Sequence, residues 1–584
     1  MGPPTVSQTS KRKLLIIGAA AAFAVAVMII IVVVTQVKKS NYCKDCMAVA
    51  SDNDVCTNIG ADVLKKGGSG VDATIAILLC LGAVQPQSNG IGGGGFMLVH
   101  TKTEDKVINF RERAPANATE RMYEDDEELA KTGGLAVGIP GEIMGHWVAH
   151  QRYGKLPWRD LFTPSIKILK EGIEVSHHME MALRDKKDIL IKYDNFKSMF
   201  FTGEEAESYK RIGDKFTNPK MAAAYEKIAK EGADGFYKGS VAENIVKALK
   251  ERGGIMSMED LAGYNVTIDE PLKFQYRGQT IISAPPPASG HVIALVLQIL
   301  DNFDLASYGT LKAWNYIIEA MRFGYAMRSK TGDSQFSELT KNVVKQVKEG
   351  TYMKKLVKEH FVKESYDQLV PYKDYSEYSN PIYGNYDGTH TTHVSVLGPE
   401  GEAVACTSTV NLYFGSRVMT EDGIVMNNEM DDFSTPGFKN AFGYDPSPEN
   451  FIVPGKRPMS SSSPSIVFDS AGEATFVTGA AGGSRIISGT LLSLINALDF
   501  KMPLDESLKA ARIHDQLNEQ TLYEVVPGVD HINARIKAGL SDLGYNMTVR
   551  QKAMSTVTSV SKLYGKNEAA GDPRKNGTGI VLEL

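Results

Sequence analysis

The sequence is short of cysteine, carries no basic stripe through its body and shows no internal repeat. Because a basic face is the usual footprint of a nucleic-acid-binding protein, its absence and a formal net charge of −5 argue against such a partner. The lack of a repeat excludes a repeat array. The 584 residues are 43% hydrophobic and 23% charged, a composition typical of a globular protein with one large domain or a few ordinary ones.

The five cysteines are Cys43, Cys46, Cys56, Cys80 and Cys406. In an extracellular protein this odd number permits one or two disulfides and leaves at least one thiol free or paired between molecules. The C-x-x-C motif of Cys43 and Cys46 lies in no βαβ pattern, which disfavours a redox or zinc role. A pairing within a stalk and two free thiols both remain open. Cys406 is expected to be a buried apolar side chain.

A run of apolar residues and glycine extends over residues 14–34 and is just long enough to cross a bilayer as a helix. A cleaved signal peptide would have a shorter apolar core and a small-residue cleavage site. Basic residues flank the run on both sides, at 11–13 and at 38–39. Their charges therefore hardly predict which end of the helix faces the cytosol. We predict a cytosolic tail over 1–13, a retained anchor, and a stalk over 35–50.

Four N-x-T sequons follow the apolar run, at Asn117, Asn265, Asn546 and Asn576. Such triplets also occur by chance, but together they favour an extracellular location for the bulk of the chain. Sequons and anchor together predict a single-pass type II protein of the plasma membrane.

Apolar spacing predicts helices before residue 340 and strands after residue 390. The predicted helices cover 60–83, most of 140–260, 291–301 and 310–330. Residues 340–390 are polar and are expected to form an exposed, mobile connection. Beyond them, besides a hairpin, strands are predicted at 423–427, 465–468 and 474–479, and a helix at 484–498.

Gly90, Gly92 and Gly95 have the spacing of a dinucleotide-binding fingerprint. The glycines lead into a predicted strand, whereas the fingerprint opens a helix. We therefore interpret this segment as a loop that other backbone approaches closely.

The stretch DGTHTTHVSV, residues 387–396, begins the predicted hairpin. If the turn centres on Glu400, facing residues have numbers that sum to 800. Val396 then faces Val404 and Thr391 faces Thr409, unless a bulge shifts the register.

Three interpretations of this stretch are open. His390 and His393 suggest a metal site, but residues three apart point to opposite faces of a strand. The threonines are also ordinary β-branched strand residues. Alternatively, Thr391 is a nucleophile. A threonine at the start of a chain can use its own α-amine as the base, which requires the backbone to be cut before it.

Other polar segments can complete such a site. Residues 427–433 form an acidic cluster, residues 458–464 a serine-rich loop, and residues 479–484 a small-residue turn suited to presenting N–H groups to an oxyanion. Arg111 can bind a carboxylate in bidentate fashion. Each segment alone is equally compatible with a solvated loop or a tight turn.

From about residue 48 to the C-terminus, the chain resembles the γ-glutamyltransferases (γ-glutamyl transpeptidases, or glutathione hydrolases) of the N-terminal-nucleophile hydrolase superfamily. The apolar run matches their membrane-anchored, animal-type form. The motifs that carry the resemblance, in family order, are GGSGVDATIAILLCLGAVQPQSNGIGGGGF, FRERAP, VGIPGE, PPPASG, TTHVSV, TSTVNLYFGS, NNEMDDFSTPG, GKRPMSSSSP, GAAGGSRI and RIHDQL.

The resemblance implies an α/β (α+β) fold, a four-layer αββα sandwich formed by two autocleaved subunits. Cleavage between His390 and Thr391 would leave a large-subunit ectodomain over 51–390 and a small catalytic subunit over 391–584. The position before the nucleophile varies within the family, so His390 does not argue against cleavage. The family also implies a disulfide between Cys56 and Cys80.

The resemblance also assigns roles to individual residues. Thr391 would be the nucleophile, Thr409 would orient it, and Gly482 and Gly483 would supply N–H groups to the oxyanion. The α-carboxylate of the γ-glutamyl group would be held by Arg111, Ser460 and Ser461. Its α-amine would be held by Asn411, Glu429 and Asp432.

The expected substrates are glutathione and other γ-glutamyl compounds, with water, amino acids or dipeptides as acceptors, and no metal or organic cofactor is needed. The alternatives are an acylase of the same fold acting, for example, on glutaryl groups, an uncleaved surface protein without activity, and a metallohydrolase. The acylase is disfavoured by Arg111, Glu429 and Asp432, which together would recognise an amino-acid head group. The inactive surface protein is disfavoured by the complete set of site residues.

Overall fold

The computed structural model describes residues 46–203, 208–305, 307–361, 369–378, 390–437, 446–517 and 519–583. The predicted tail, the anchor and the first part of the stalk lie outside these residues. Within the described ranges, no helix is both long enough and apolar enough to cross a bilayer.

The strands of the described residues are, in chain order, β1 Met47–Ser51, β2 Gly94–His100, β3 Asp105–Asn109, β4 Ile173–Glu174, β5 Phe201–Thr202, β6 Ser208–Tyr209, β7 Lys215–Phe216, β8 Thr267–Asp269, β9 Leu272–Tyr276, β10 Gln279–Ser283, β11 Thr391–Leu397, β12 Ala403–Thr409, β13 Ser465–Phe468, β14 Ala474–Ala481, β15 Ile513–His514, β16 Thr521–Glu524, β17 Met547–Arg550, β18 Thr556–Ser561, β19 Glu568–Gly571 and β20 Thr578–Leu582.

The α-helices are α1 Asp54–Lys65, α2 Gly70–Val84, α3 Glu142–Tyr153, α4 Trp158–Glu171, α5 His177–Leu190, α6 Asp194–Phe200, α7 Pro219–Glu231, α8 Asp234–Tyr237, α9 Gly239–Lys250, α10 Met258–Ala262, α11 Gly290–Leu300, α12 Leu311–Arg328, α13 Glu338–Lys348, α14 Thr351–Leu356, α15 Ile486–Leu498, α16 Leu504–Lys509 and α17 Ala534–Leu543.

Two large sheets form the centre of the molecule. The first has the strand order β20-β1-β11-β12-β2-β3-β8, and the second has the order β19-β18-β14-β13-β10-β9. A small apolar cluster fills the space between the sheets and includes Ala48, Leu98, Ala405, Ile466 and Val477. Larger apolar clusters cover the outer face of each sheet with helices. The result is a mixed α/β sandwich in four layers, as the resemblance implied.

Side-chain alternation along β11 decides what each residue faces. Val394 and Val396 join the helix-side cluster around α2, whereas Leu397 joins the cluster between the sheets. Because successive strand residues point to opposite faces, Thr391 and His393 share the face of Leu397 and look toward the second sheet. This alternation aims Thr391 into the gap between the sheets.

The hairpin register is confirmed by the structure. Thr391 pairs with Thr409 and Val396 with Val404, without a bulge. The disulfide between Cys56 and Cys80 is present and joins α1 to α2, and Cys406 is a buried free thiol.

Three predictions about secondary structure were wrong. The helix predicted over 60–83 is interrupted, because Gly67 adopts a left-handed φ of 83° and Ser69 caps a new helix in a capping box with Asp72. Residues 338–361 are largely helical where a mobile connection was expected. Residues 423–427 form no strand and contribute only an isolated bridge between Met419 and Val425.

The predicted stalk is also wrong for its last residues. Met47–Ser51 is the buried strand β1, which lies between β11 and β20 in the first sheet. Its five residues are apolar or small and too few to reveal a strand by alternation. The folded body therefore begins inside the predicted stalk.

Candidate active site

Thr391 and Thr409 stand at the entrance to the gap between the sheets, at the first position of β11 and the last of β12. The Thr391 hydroxyl donates to Thr409 Oγ1 at 3.3 Å. The Thr409 hydroxyl in turn donates to the His390 carbonyl oxygen at 3.0 Å, and the Asn411 N–H donates to Thr409 Oγ1 at 2.9 Å. One hydroxyl therefore contacts both Thr391 and the carbonyl of the peptide bond that precedes it.

A buried ion pair holds the backbone of Thr391. Lys575 Nζ donates to the Thr391 carbonyl oxygen at 2.8 Å and lies 2.9 Å from Asp52 Oδ2. The Thr392 hydroxyl also donates to Asp52 Oδ2, at 2.8 Å. Sequence reasoning missed Lys575 and Asp52, because they lie near opposite ends of the chain and belong to no recognisable motif.

Arg111 is at the centre of a buried cluster of carboxylates. Its guanidinium forms ion pairs with Glu429 and Asp432, and it donates to the carbonyl oxygens of Pro458 at 3.3 Å and Met459 at 3.0 Å. Although burial disfavours the charged guanidinium, Glu429 and Asp432 raise the pKa of Arg111 above its ordinary value. The structure thus brings together the predicted partners of the substrate's carboxylate and of its amine.

The serine loop lies beside this cluster. Ser460 is anchored by its own N–H, which donates to the Pro287 carbonyl oxygen at 2.8 Å, and its carbonyl oxygen accepts from Ser289. The Ser461 hydroxyl accepts from Arg328 Nη2 at 3.2 Å. Arg328 is a second cation at this site and was not anticipated, since nothing in its helical surroundings in the sequence distinguishes it from a surface arginine.

Two further carboxyl groups, Glu112 beside Arg111 and Asp431 beside Asp432, lie in surroundings that disfavour their charge. Burial raises the pKa of Asp431 to about 8, and neighbouring Asp432 acts in the same direction. Burial also raises the pKa of Glu112 to about 8, against the opposing effect of Arg111. Both groups therefore carry a proton well into the neutral pH range.

Gly482 and Gly483 follow β14 and precede α15. Gly482 has a φ of 140° and Gly483 a φ of 59°, which favour glycine. A Cβ on Gly482 would lie 2.7 Å from the Met554 carbonyl oxygen, so a larger residue does not fit. The glycines place backbone N–H groups at the start of a helix, where its dipole favours negative charge.

The two histidines of the hairpin have separate surroundings. His390 stacks on Tyr413 with ring centroids 3.3 Å apart, and His393 Nδ1 is 2.8 Å from Thr407 Oγ1. Burial lowers the pKa of His393 to about 3, so it is neutral. Among the described residues, no cluster of three or more His, Cys, Asp or Glu side chains is arranged to hold a metal ion.

The layered sandwich and a strand-initial threonine aimed into it define the class of N-terminal-nucleophile hydrolases. The solved cephalosporin acylase from Bacillus halodurans shares this fold, with a TM-score of 0.79 at 24% identity over 93% of this chain and 97% of that one. At that identity the likeness shows the fold alone.

Sequence comparisons identify the family. The family model "Gamma-glutamyltranspeptidase" matches residues 56–582. A glutathione hydrolase proenzyme of Arthroderma benhamiae is 39% identical, with 92% of each chain covered. The glutathione hydrolase proenzyme of Escherichia coli K12 is 35% identical, with 90% of each chain covered. This chain therefore belongs to the γ-glutamyltranspeptidase family, whose members are autocleaved enzymes that hydrolyse or transfer γ-glutamyl groups.

Proposed function

We propose that Thr391 is both the residue before which the chain cuts itself and the nucleophile of the mature γ-glutamyltransferase. The observation that carries this proposal is the chain of hydrogen bonds from Thr391 Oγ1 through Thr409 Oγ1 to the His390 carbonyl oxygen. It joins an attacking hydroxyl to the carbonyl that it must attack.

In maturation, Thr391 Oγ1 attacks the His390 carbonyl carbon. The C–N bond breaks, the nitrogen keeps its hydrogen and gains the hydroxyl proton, and an ester links His390 to Thr391. Water then hydrolyses this ester and frees the Thr391 α-amine. The products are the large subunit, which ends at His390, and the small subunit over 391–584. The name "proenzyme" borne by both relatives supports this step.

In turnover, the Thr391 α-amine takes the hydroxyl proton while Oγ1 attacks the γ-carbonyl of glutathione or a related compound. Gly482 and Gly483 stabilise the oxyanion. The amine product departs with a proton, and a γ-glutamyl ester remains on Thr391. Water or an acceptor amine then attacks this ester and restores the hydroxyl.

The cluster around Arg111 fixes the substrate's amino-acid head group. Arg111, Ser460 and Ser461 bind the α-carboxylate, because a guanidinium and hydroxyls are donors. Asn411, Glu429 and Asp432 bind the α-ammonium, because amide and carboxylate oxygens are acceptors. A substrate that carries both groups can replace the existing ion pairs of Arg111. Its α-carboxylate then pairs with Arg111, and its α-ammonium pairs with Glu429 and Asp432.

This head-group cluster distinguishes the proposal from a glutaryl acylase, which the shared fold would also permit. We expect rapid hydrolysis of γ-glutamyl-p-nitroanilide and little hydrolysis of glutaryl-p-nitroanilide, which lacks only the α-amine. Equal hydrolysis of both would favour the acylase. On a denaturing gel, N-terminal sequencing of the smaller band should begin at Thr391, and an intact chain with full activity would contradict the maturation step.

We also propose that the catalytic body is extracellular, on a single-pass type II anchor over residues 14–34 in the plasma membrane. All four sequon asparagines, Asn117, Asn265, Asn546 and Asn576, are exposed, which is compatible with glycosylation. A membrane-impermeant biotin reagent should label the small subunit on intact cells. Labelling only after lysis would contradict this location.

A further inference from the structure

Arg328 is the last residue of α12 and lies buried beside the serine loop, and it belongs to neither of the residue sets assigned to the substrate's head group. Its Nε donates to Ser289 Oγ at 3.1 Å, and its Nη2 donates to Ser461 Oγ at 3.2 Å. The C-terminal end of a helix stabilises a cation, so this position suits its charge. The guanidinium thus joins the segment PPPASG, residues 285–290, to the serine loop over 458–464.

Ser289 transmits one of these contacts to the backbone of the serine loop. It is the N-cap residue of α11, yet its hydroxyl makes no capping hydrogen bond to that helix. The hydroxyl donates instead to the Ser460 carbonyl oxygen at 2.6 Å, and the Ser289 N–H donates to the Ser462 carbonyl oxygen at 2.8 Å. Because a guanidinium can only donate, Ser289 Oγ accepts from Arg328 and directs its proton to Ser460.

The same limit on the guanidinium decides the direction of the Ser461 hydroxyl. Its oxygen accepts from Arg328, so its own proton points away from Arg328. Within the described part of the chain no acceptor takes this proton, and the side chain is only partly buried. The Ser460 hydroxyl, by contrast, already donates to Ser462 Oγ at 3.0 Å. Of the two serines assigned to the α-carboxylate, Ser461 is therefore the one oriented to donate to a bound ligand.

Arg328 also adds positive charge close to Arg111. Burial lowers the pKa of Arg328, Tyr325 and Asp432 oppose this effect, and Arg111 acts in the same direction as burial. An arginine keeps its charge after such a shift, because its ordinary pKa is above about 12. A carboxylate bound at Arg111 would therefore lie within the field of a second buried cation.

Resting on the function proposed above, we propose that Arg328 is a positioning residue for the γ-glutamyl donor, which orients the Ser461 hydroxyl toward the α-carboxylate and holds the serine loop through Ser289. Arg111 binds the carboxylate directly, whereas Arg328 acts through Ser461. A hydrogen bond to a charged acceptor changes affinity by about 10- to 100-fold. Loss of Arg328 should therefore impair recognition of the carboxylate and not acyl transfer in general.

The test compares two donors that differ only at the α-position. One is γ-glutamyl-p-nitroanilide, and the other is its α-carboxamide, in which a neutral amide replaces the carboxylate. For each donor, kcat/KM for nitroaniline release is measured on the same preparation of cleaved enzyme, so the ratio of the two values is independent of the fraction of active enzyme. A general structural defect slows both donors alike and leaves this ratio unchanged.

We expect R328M to lower the wild-type ratio by about 10- to 100-fold. S461A should lower it by about tenfold, and R328M/S461A should lower it no further than R328M, because both changes interrupt the same path. R328K keeps the charge but loses the fork, so its ratio should lie between those of R328M and wild type. The control R121M removes an exposed arginine and should keep the wild-type ratio.

An unchanged ratio in R328M would overturn the proposal, as would losses of R328M and S461A that multiply in the double variant. If R328M is not cleaved, R328K and S461A decide, and an unchanged ratio in either variant would overturn it equally. Failure of the proposed function would look different. A wild-type ratio near unity would remove the head-group assignment itself, and a wild type that releases no nitroaniline from either donor would not be a γ-glutamyltransferase.

Discussion

Lys575 donates from its ammonium group to the carbonyl oxygen of Thr391 at 2.8 Å, although 184 positions separate the two residues. The same ammonium group pairs with Asp52, which also accepts the hydroxyl of Thr392. Three distant segments thus fix the backbone of the residue that starts β11. A strand end is otherwise free to fray, so this ion pair fixes the position of the residue that we propose as the nucleophile.

Removal of one member of this pair should be costly. K575M leaves Asp52 buried without its cation, so we expect a loss of about 3–5 kcal/mol in the free energy of unfolding, together with slow self-cleavage. D52N/K575M should be clearly more stable than K575M, because no uncompensated charge remains. Urea unfolding and a time course of precursor cleavage measure the two effects, and equal stabilities of single and double variants would contradict this account.

Loss of the Thr391 hydroxyl should abolish both maturation and turnover. We expect T391A to remain a single chain and to release no nitroaniline from γ-glutamyl-p-nitroanilide. T391S is the matched control, because it keeps the hydroxyl and should still be cut. Gel analysis after prolonged incubation gives the readout. If T391A is cut at the same bond, another residue is the nucleophile.

The bidentate geometry of the Arg111 guanidinium, and not its charge alone, should determine how tightly the γ-glutamyl substrate binds. R111K keeps the charge but loses the bidentate geometry, so kcat/KM for γ-glutamyl-p-nitroanilide should fall by about 10- to 100-fold. R121K, an exposed change of the same type, should have no effect. The comparison is made on cleaved enzyme, and activity of R111K within twofold of wild type would remove Arg111 from the head-group site.

Asp431 should make stability dependent on pH. Its pKa is about 8 in the folded protein against an ordinary 3.8, so between these values the folded state holds a proton that the unfolded state has released. The contribution of Asp431 to the free energy of unfolding is therefore fully present below about pH 4 and is lost as pH rises toward 8.

D431N removes this dependence. The difference in unfolding free energy, D431N minus wild type, should increase by about 1 kcal/mol or more from pH 5 to pH 8. Its slope should be at most roughly 1.4 kcal/mol per pH unit. Urea midpoints across this range provide the measurement, and the exposed change D530N should show no such trend. A difference between D431N and wild type that is constant with pH would refute the assigned shift.

The disulfide between Cys56 and Cys80 closes a loop of 24 residues that contains the break between α1 and α2. By loop-closure entropy, C56A/C80A should lose about 3 kcal/mol of unfolding free energy. C406A, which removes a buried thiol that forms no disulfide, should lose less. Equal losses for the two variants would indicate that packing, and not the crosslink, provides the stabilisation.

The hairpin of β11 and β12 shows what can be predicted from local sequence pattern. Its register could be predicted because a glycine-containing turn and two alternating strands are adjacent in the chain, so short-range geometry fixes which residues face each other. The same reasoning failed at β1, where five buried residues carry no period, and at Gly67, where a left-handed turn divides a continuous apolar pattern.

The sequence by itself determined the family, the strand-initial position of Thr391 and its pairing with Thr409, since these depend on contiguous motifs and local alternation. Only the tertiary structure decided that Arg111 meets Glu429 and Asp432, that Arg328 joins the serine loop, and that Lys575 and Asp52 hold Thr391. Charged groups buried in a low-dielectric interior need partners, and which partners they find depends on how the two sheets and their helices pack, not on distance along the chain.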